Sequence, residues 1–216
     1  MIFNLMNLIN EYKMKIKGVI HVGAYVGGEL TEYRSLGLFN TIYFEPQKHL
    51  FEIVQAKCIK NEAVYNVALG NINDEEMDLY ISHSEGGIQN GSGASSSLLK
   101  PKVHLIEHPT IKFIRKDPVK VYRLDNFTAD QGINVEEYNL LNIDVQGYEL
   151  EVLKGAEKSL EHIDYIIAEV NRDEVYAGCP LIGDIDNYLK DFGFIRAMVG
   201  WQSISWGDAF YMKEAQ

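Results

Sequence analysis

The sequence predicts an α/β fold, a mostly parallel sheet with helices on both faces. Three observations carry this. Short apolar runs rich in Val and Ile recur at 18–25, 41–45, 63–69, 138–145 and 163–170, each the length of a buried strand. Stretches of helical periodicity lie between them. The last two strand-like segments, 194–200 and 209–213, are joined by residues 201–208 alone. That link is too short for a right-handed helical crossover, so the final strand should run antiparallel. The expected architecture is a three-layer sandwich around seven main strands.

The remaining elements follow in order. The first stretch predicts an amphipathic helix over about 1–15, with Phe3, Met6, Ile9 and Tyr12 at helical spacing. Residues 28–37 predict a helix stopping near Gly37, and 47–58 another with Leu50, Ile53 and Val54 on one face. Segments 77–82 and 119–124 alternate as strands do, inside an insertion at about 74–120. Within it, 83–97 is polar and glycine-rich. Composition leaves two readings open there, a flexible surface loop or a mobile loop over a site. Residues 148–160 and 181–192 read as amphipathic helices, the second closed by Gly193. No repeat or linker divides the chain, so 1–216 reads as a single domain.

Composition narrows the function. Hydrophobic residues make up 46% and charged residues 24%, enough apolar content for a full core. The net charge of −11 and the lack of a dense Lys/Arg cluster disfavour a nucleic-acid partner. Cys58 and Cys179 form no C-x-x-C motif. Asn4, Asn7 and Asn10 interrupt the apolar N-terminus, which lacks a signal-peptide pattern. No run approaches the ~20 apolar residues of a membrane span. A cytoplasmic location is expected.

Ligands of open α/β sheets bind beyond the carboxyl ends of the strands. There the sequence places Gly23, Ala24, Tyr25 and Gly27, then Glu45, then Ala68 and Leu69, then Asp144 and Gln146, and finally Glu169 and Asn171. The first turn reads G-x-x-x-G-G rather than G-x-G-x-x-G. That spacing suits a nucleoside with no pyrophosphate to cradle, and S-adenosylmethionine is the commonest. Glu45 lies 22 residues after Gly23, close to the offset of about 20 at which a carboxylate grips ribose hydroxyls. Asp144, flanked by Ile143 and Val145, is costly to bury unless paired or used. Glu149 is a second carboxylate, placed in a first helical turn where the helix dipole also favours it. Asp144, Glu169 and Asn171 offer oxygen ligands to a divalent cation, a site allowed but not favoured. His21 reads more readily as a satisfied core residue than as a catalyst. His83, His104 and His108 are expected to be better exposed, and nothing marks a metal triad among them. No G-x-S-x-G or G-K-[ST] signature is present.

The block N-L-L-N-I-D-V-Q-G-Y-E-L-E-V-L-K-G-A at 139–156 resembles the signature of FkbM-type S-adenosylmethionine-dependent methyltransferases. H-V-G-A-Y-V-G (21–27), Y-F-E-P (43–46) and N-V-A-L-G (66–70) agree in order, and S-S-S-L (95–98) and V-Y-R-L-D-N-F (121–127) also resemble family features. The resemblance covers roughly 18–171. It implies a class I methyltransferase (Rossmann-like) fold and methyl transfer to a hydroxyl, with a sugar of a glycan or glycolipid as the preferred acceptor. It implies a cofactor set of Gly23, Ala24, Tyr25, Gly27, Glu45, Ala68, Leu69, Ser96, Asp144 and Gln146. Asp144, Glu169 and His21 become the catalytic candidates, with no resident metal. Tyr25, Trp201 and Trp206 are candidates to stack on a sugar. Two positions depart from the family pattern: His21 stands where Asp is usual, and Gln146 where Glu is usual. The alternatives are a non-catalytic nucleoside-binding module and an RNA methyltransferase.

Overall fold

The computed structural model describes residues 3–214. Met1, Ile2, Ala215 and Gln216, which the expected helix and domain limits include, lie outside the described residues. In chain order the strands are β1 (Val19–Val22), β2 (Thr41–Phe44), β3 (Glu62–Tyr65), β4 (Ala68–Leu69), β5 (Glu75–His83), β6 (Lys112–Tyr122), β7 (Leu140–Ile143), β8 (Tyr165–Asn171), β9 (Phe194–Trp201) and β10 (Trp206–Lys213). The α-helices are α1 (Leu5–Tyr12), α2 (Leu30–Ser35), α3 (Lys48–Lys57), α4 (His104–Glu107), α5 (Leu124–Gln131), α6 (Glu149–Lys154) and α7 (Ile182–Lys190).

Seven strands form one sheet in the order β3-β2-β1-β7-β8-β10-β9. β1, β2, β3, β7 and β8 pair in parallel, and β10 is antiparallel to both β8 and β9. This is the class I methyltransferase arrangement, with the antiparallel last strand inserted beside the fifth. The chain runs outward from β1 through β2 to β3, then returns to lay β7 on the other side of β1. The carboxyl ends of β1 and β7 therefore flank the switch point where α/β sheets bind ligands.

Both faces of the sheet are covered. Ile20 and Val22 join a core with Phe44, Ile143, Val152, Leu153, Ile185 and Leu189. Val19, from the opposite side of the same strand, joins Leu5, Leu8, Leu30, Tyr33 and Phe210. Neighbouring residues of one strand entering opposite cores is the mark of three layers.

Several elements differ from the sequence expectation, among them the following. The run 63–69 is not one strand. β3 joins the large sheet, while β4 pairs with β6 in a second sheet of order β4-β6-β5. The Asn66 side chain donates to the carbonyls of Glu45 and Pro46, both at 2.9 Å, and pins the chain where it departs. Helix α5 was not anticipated. The first helix buries Leu5 and Leu8, whereas Met6 is 45% exposed. Asn4, expected to interrupt this segment, caps it by accepting from the Asn7 N–H. The 148–160 helix stops at Lys154, and a separate 3-10 turn covers Ser159–Glu161.

Gly155 marks that break. A Cβ there would lie 2.0 Å from the Gly70 carbonyl oxygen, which follows β4. The end of α6 and the root of the second sheet thus touch backbone to backbone. Replacing Gly155 with Ala should force these segments apart and cost about 1–3 kcal/mol, the usual range for overpacking a filled site. Urea unfolding checks this, and an unchanged midpoint would show that the contact yields freely.

Candidate active site

A cavity of about 270 Å³ opens at the carboxyl ends of β1, β2, β7 and β8. Its floor is the turn after β1. Gly23 has φ +89, and a Cβ on it would fall 1.8 Å from the Asp144 carbonyl oxygen. The backbone N–H groups of Gly23 and Ala24 donate to the Phe44 carbonyl at 3.0 and 3.1 Å. Tyr25 follows with φ 48. Ala24, Tyr25 and Gly28 line the cavity, but Gly27 is not among the lining residues. A Cβ at Gly27 would meet the Leu30 side chain at 2.4 Å, so this glycine serves the packing of α2.

Glu45 emerges from β2 into the same cavity and is buried. Its two oxygens accept from the backbone N–H groups of Tyr25 and Gln47, each at 2.8 Å. Burial pushes its pKa up to about 7, against the pull of those two donors. Each oxygen keeps a further lone pair for a ligand. Ala68 and Leu69 line the cavity beside Phe44, Leu79 and Leu98 as an apolar slot. Ser96 lines it too, and its hydroxyl donates to Gln47 Oε1 at 3.3 Å.

Residues 83–97 are tied to this frame. The Tyr25 hydroxyl donates to the Ile88 carbonyl at 2.8 Å, and Gln47 Nε2 to the Gly93 carbonyl at 3.0 Å. Gly93 and Ala94 thereby become part of the cavity wall.

The opposite wall carries the acids. Asp144 follows β7, and its N–H donates to the Val22 carbonyl at 2.9 Å. Gln146 Nε2 donates to Asp144 Oδ1 and to Glu169 Oε2, both at 2.8 Å. Its own Oε1 accepts from the Tyr176 hydroxyl at 2.8 Å. Burial raises the pKa of Asp144, and it raises that of Glu169 strongly, helped by the neighbouring carboxylates Asp144, Glu149 and Asp208. Asp208, which the sequence reading passed over, lines the same wall and is the direct β10 partner of Glu169. The available signal was an acid inside the apolar run W-G-D-A-F-Y-M.

The other candidates fall as follows. Glu149 is fully buried but does not line the cavity. One of its oxygens accepts from the N–H groups of Val145 and Gly147, both at 3.1 Å, bracing the turn before α6. His21 does line the cavity, yet its Nδ1 sits 3.1 Å from the Tyr33 hydroxyl, and burial lowers its pKa. Neutral and tied to α2, it cannot replace an acid's charge. Asn171 is buried away from the cavity. His104 is buried, contrary to expectation, among Phe113, Tyr176 and His108. Trp201 carries the Arg172 guanidinium over its ring at 3.7 Å. Among the described residues, no group of three or more His, Cys, Asp or Glu side chains is placed to hold a metal ion.

The chain is similar to several known proteins. A family model for the methyltransferase FkbM domain matches residues 21–196. The chain is 26% identical over 184 residues to the 2-O-methyltransferase NoeI of Sinorhizobium fredii, spanning 82% of this chain and 72% of that protein. Among solved structures, a SAM-dependent methyltransferase from Aquifex aeolicus aligns over 98% of this chain and 90% of its own, at 12% identity and a TM-score of 0.49. Magnesium protoporphyrin IX methyltransferase from Synechocystis PCC 6803, solved with bound SAM, aligns over 91% of this chain and 69% of its own, at 11% identity and a TM-score of 0.48.

The raised pKa of Glu45 has a measurable consequence. With Glu45 as the ribose acceptor, binding favours its ionised form, so affinity should rise with pH and level off above about 7. S-adenosylhomocysteine should bind about tenfold more tightly at pH 8 than at pH 6, the ratio of ionised fractions for such a group. Glu45→Gln should weaken binding at pH 8 and flatten the profile. Calorimetry across this range checks it, and a flat wild-type profile would remove Glu45 from the ribose contact.

Proposed function

The chain belongs to the FkbM methyltransferase family, and we propose that it methylates a hydroxyl oxygen of a sugar. Methyl transfer dependent on S-adenosylmethionine comes with the family. Oxygen as the atom and a sugar as its carrier are the proposal, supported by the 2-O-methyltransferase relative and by the acids in the wall.

The residues present fit the cofactor. Gly23 lines the cavity, and without a Cβ it lets this turn lie directly against the Asp144 backbone. Glu45 retains acceptor capacity for ribose hydroxyls. Phe44, Ala68, Leu69 and Leu98 supply an apolar slot for the adenine. S-adenosylmethionine supplies a methyl carbon already activated on a sulfonium, so that the C–O bond forms as the C–S bond breaks and sulfur keeps the electron pair.

One observation carries the catalytic reading: Asp144 is a half-buried, cavity-lining carboxylate held directly beside the glycine turn. Gln146 fixes its Oδ1, and the carboxylate keeps lone pairs for a hydroxyl donor. In this proposal Asp144 accepts the acceptor's hydroxyl hydrogen, orients the oxygen, and takes the proton as the oxygen becomes an ether. Its raised pKa brings it nearer to neutrality, where a general base works best. Glu169, pushed further up, serves as its hydrogen-bonded neighbour rather than as a second base. The acidic wall and the net charge of −11 make an RNA phosphate a poor neighbour. The same reading places the protein in the cytoplasm, where the unpaired Cys58 and Cys179 stay reduced, and treats 1–216 as a single methyltransferase unit.

Asp144→Asn should lower turnover by about 10²-fold or more, the usual loss when a general base is removed, while S-adenosylhomocysteine affinity changes by less than about threefold. An active Asn variant would remove Asp144 from the proton transfer. Incubation with methyl-labelled donor and a panel of glycans, glycolipids and RNAs tests the acceptor. Label should enter alkali-stable ethers on saccharides, and label in RNA alone would overturn the sugar assignment.

A further inference from the structure

A second cavity of about 320 Å³ lies directly against the first. The two share Ala94, Asp144, Gln146, Glu169 and Asp208 as lining residues. The wall between them is thus made mostly of acidic side chains with access to both spaces. A transfer reaction needs this arrangement, with the donor on one side, the acceptor on the other, and the groups that handle the proton in between.

The far wall comes from parts of the chain outside the nucleoside-binding half. His104 and His108 lie in and just after α4, while Gln202 lies in the β9–β10 turn and Trp206 opens β10. The two segments are stitched together: Glu107 Oε2 accepts from the Ser205 hydroxyl at 2.5 Å and from the Ser203 hydroxyl at 3.3 Å. The His108 and Trp206 rings sit 6.4 Å apart between centroids. An aromatic pair on one side and hydrogen-bond acceptors on the other match a molecule with C–H faces and hydroxyl edges. A phosphate would meet three carboxylates. The volume falls within the ~300–1,000 Å³ of small-ligand sites.

His104 completes this wall. It lines this cavity and is buried, and its Nδ1 has no hydrogen-bond partner. Burial, reinforced by the neighbouring His108, pushes its pKa down to about 4, so the ring is neutral. That nitrogen is sealed from the cavity, so the ring gives the wall a neutral, flat surface rather than a hydrogen bond.

We propose that this second cavity is the acceptor subsite, that it takes one sugar ring against Trp206 and His108, and that the ring's reacting hydroxyl points to Asp144 across the shared wall. The assignment rests on the methyl-transfer reading above and adds where the acceptor sits and which residues select it. Trp206 and His108 are binding residues and need not alter the cofactor site.

Saturation-transfer NMR tests it, using the methyl glycosides of glucose, galactose, mannose and N-acetylglucosamine with S-adenosylhomocysteine present. Ring C–H protons of at least one glycoside should receive saturation from the wild-type protein. Trp206→Ala and His108→Ala should each weaken that glycoside's affinity by about tenfold. S-adenosylhomocysteine affinity, measured by calorimetry on each variant, should change by less than about twofold and doubles as the folding control. If Trp206→Ala does not fold, His108→Ala alone decides. Saturation of no glycoside while S-adenosylhomocysteine binds, or undiminished saturation in the variants, would overturn the subsite. Failure of S-adenosylhomocysteine to bind the wild type would instead overturn the cofactor reading.

Discussion

The contact between Gly23 and the backbone of Asp144 is the constraint on which the site depends. β1 and β7 pair in parallel with Val22 opposite Ile143, so the two chains leave the sheet side by side. A Cβ on Gly23 would sit 1.8 Å from the Asp144 carbonyl oxygen, which no relaxation of a flexible side chain can absorb. The Asp144 N–H is spent on the Val22 carbonyl. The glycine turn and the candidate base are therefore one backbone unit, although they come from distant parts of the chain. Anything that spreads β1 from β7 changes the floor of the cavity and the position of the acid together.

Around that unit the acids would repel one another without Gln146. Asp144, Glu169 and Asp208 line one wall, and burial together with their mutual charge raises the pKa of the first two. An amide brings two N–H donors and gives one to each of two carboxylates. A carboxylate at this position, as the family resemblance leads one to expect, has no N–H to offer when ionised and would add a like charge. Tyr176 then satisfies the amide oxygen, so the orientation of the amide is determined from both ends. Gln146 is thus a neutral clamp between two acids, where a second carboxylate would add to their repulsion.

Much of this was legible in the sequence because it is written in local patterns. The apolar runs located the parallel strands, and the rule that ligands bind beyond their carboxyl ends led to Gly23, Glu45, Asp144 and Glu169. The same rule hid Asp208. β10 runs antiparallel to β8, so its amino-terminal half lies at the edge where the other strands end, and Asp208 stands there near the start of its strand. His104 differs from expectation for another reason: its ring packs against Phe113 and against Tyr176, which is 72 residues away, and no local pattern announces the latter contact. The split of 63–69 between two sheets likewise turns on the Asn66 side chain reaching back to Glu45 and Pro46. An apolar count scores such a residue as merely polar.

Composition left the 83–97 segment with two readings, and its hydrogen bonds favour the one tied to the site. Its carbonyls at Ile88 and Gly93 are taken by Tyr25 and Gln47, residues of the glycine turn and of the end of β2. Gln47 also follows Glu45, whose carboxylate holds the Gln47 and Tyr25 N–H groups. One buried acid therefore orders both residues that carry the loop. The glycines have a local reason as well: Gly93 has φ +93, and the Gln47 side chain would lie 3.0 Å from a Cβ there. Ala94, the next residue, lines both cavities. A displacement at Glu45 would be felt at the nucleoside floor, in the loop, and through Ala94 at the wall of the second cavity. The loop thus couples the two cavities through the same carboxylate that the ribose would engage.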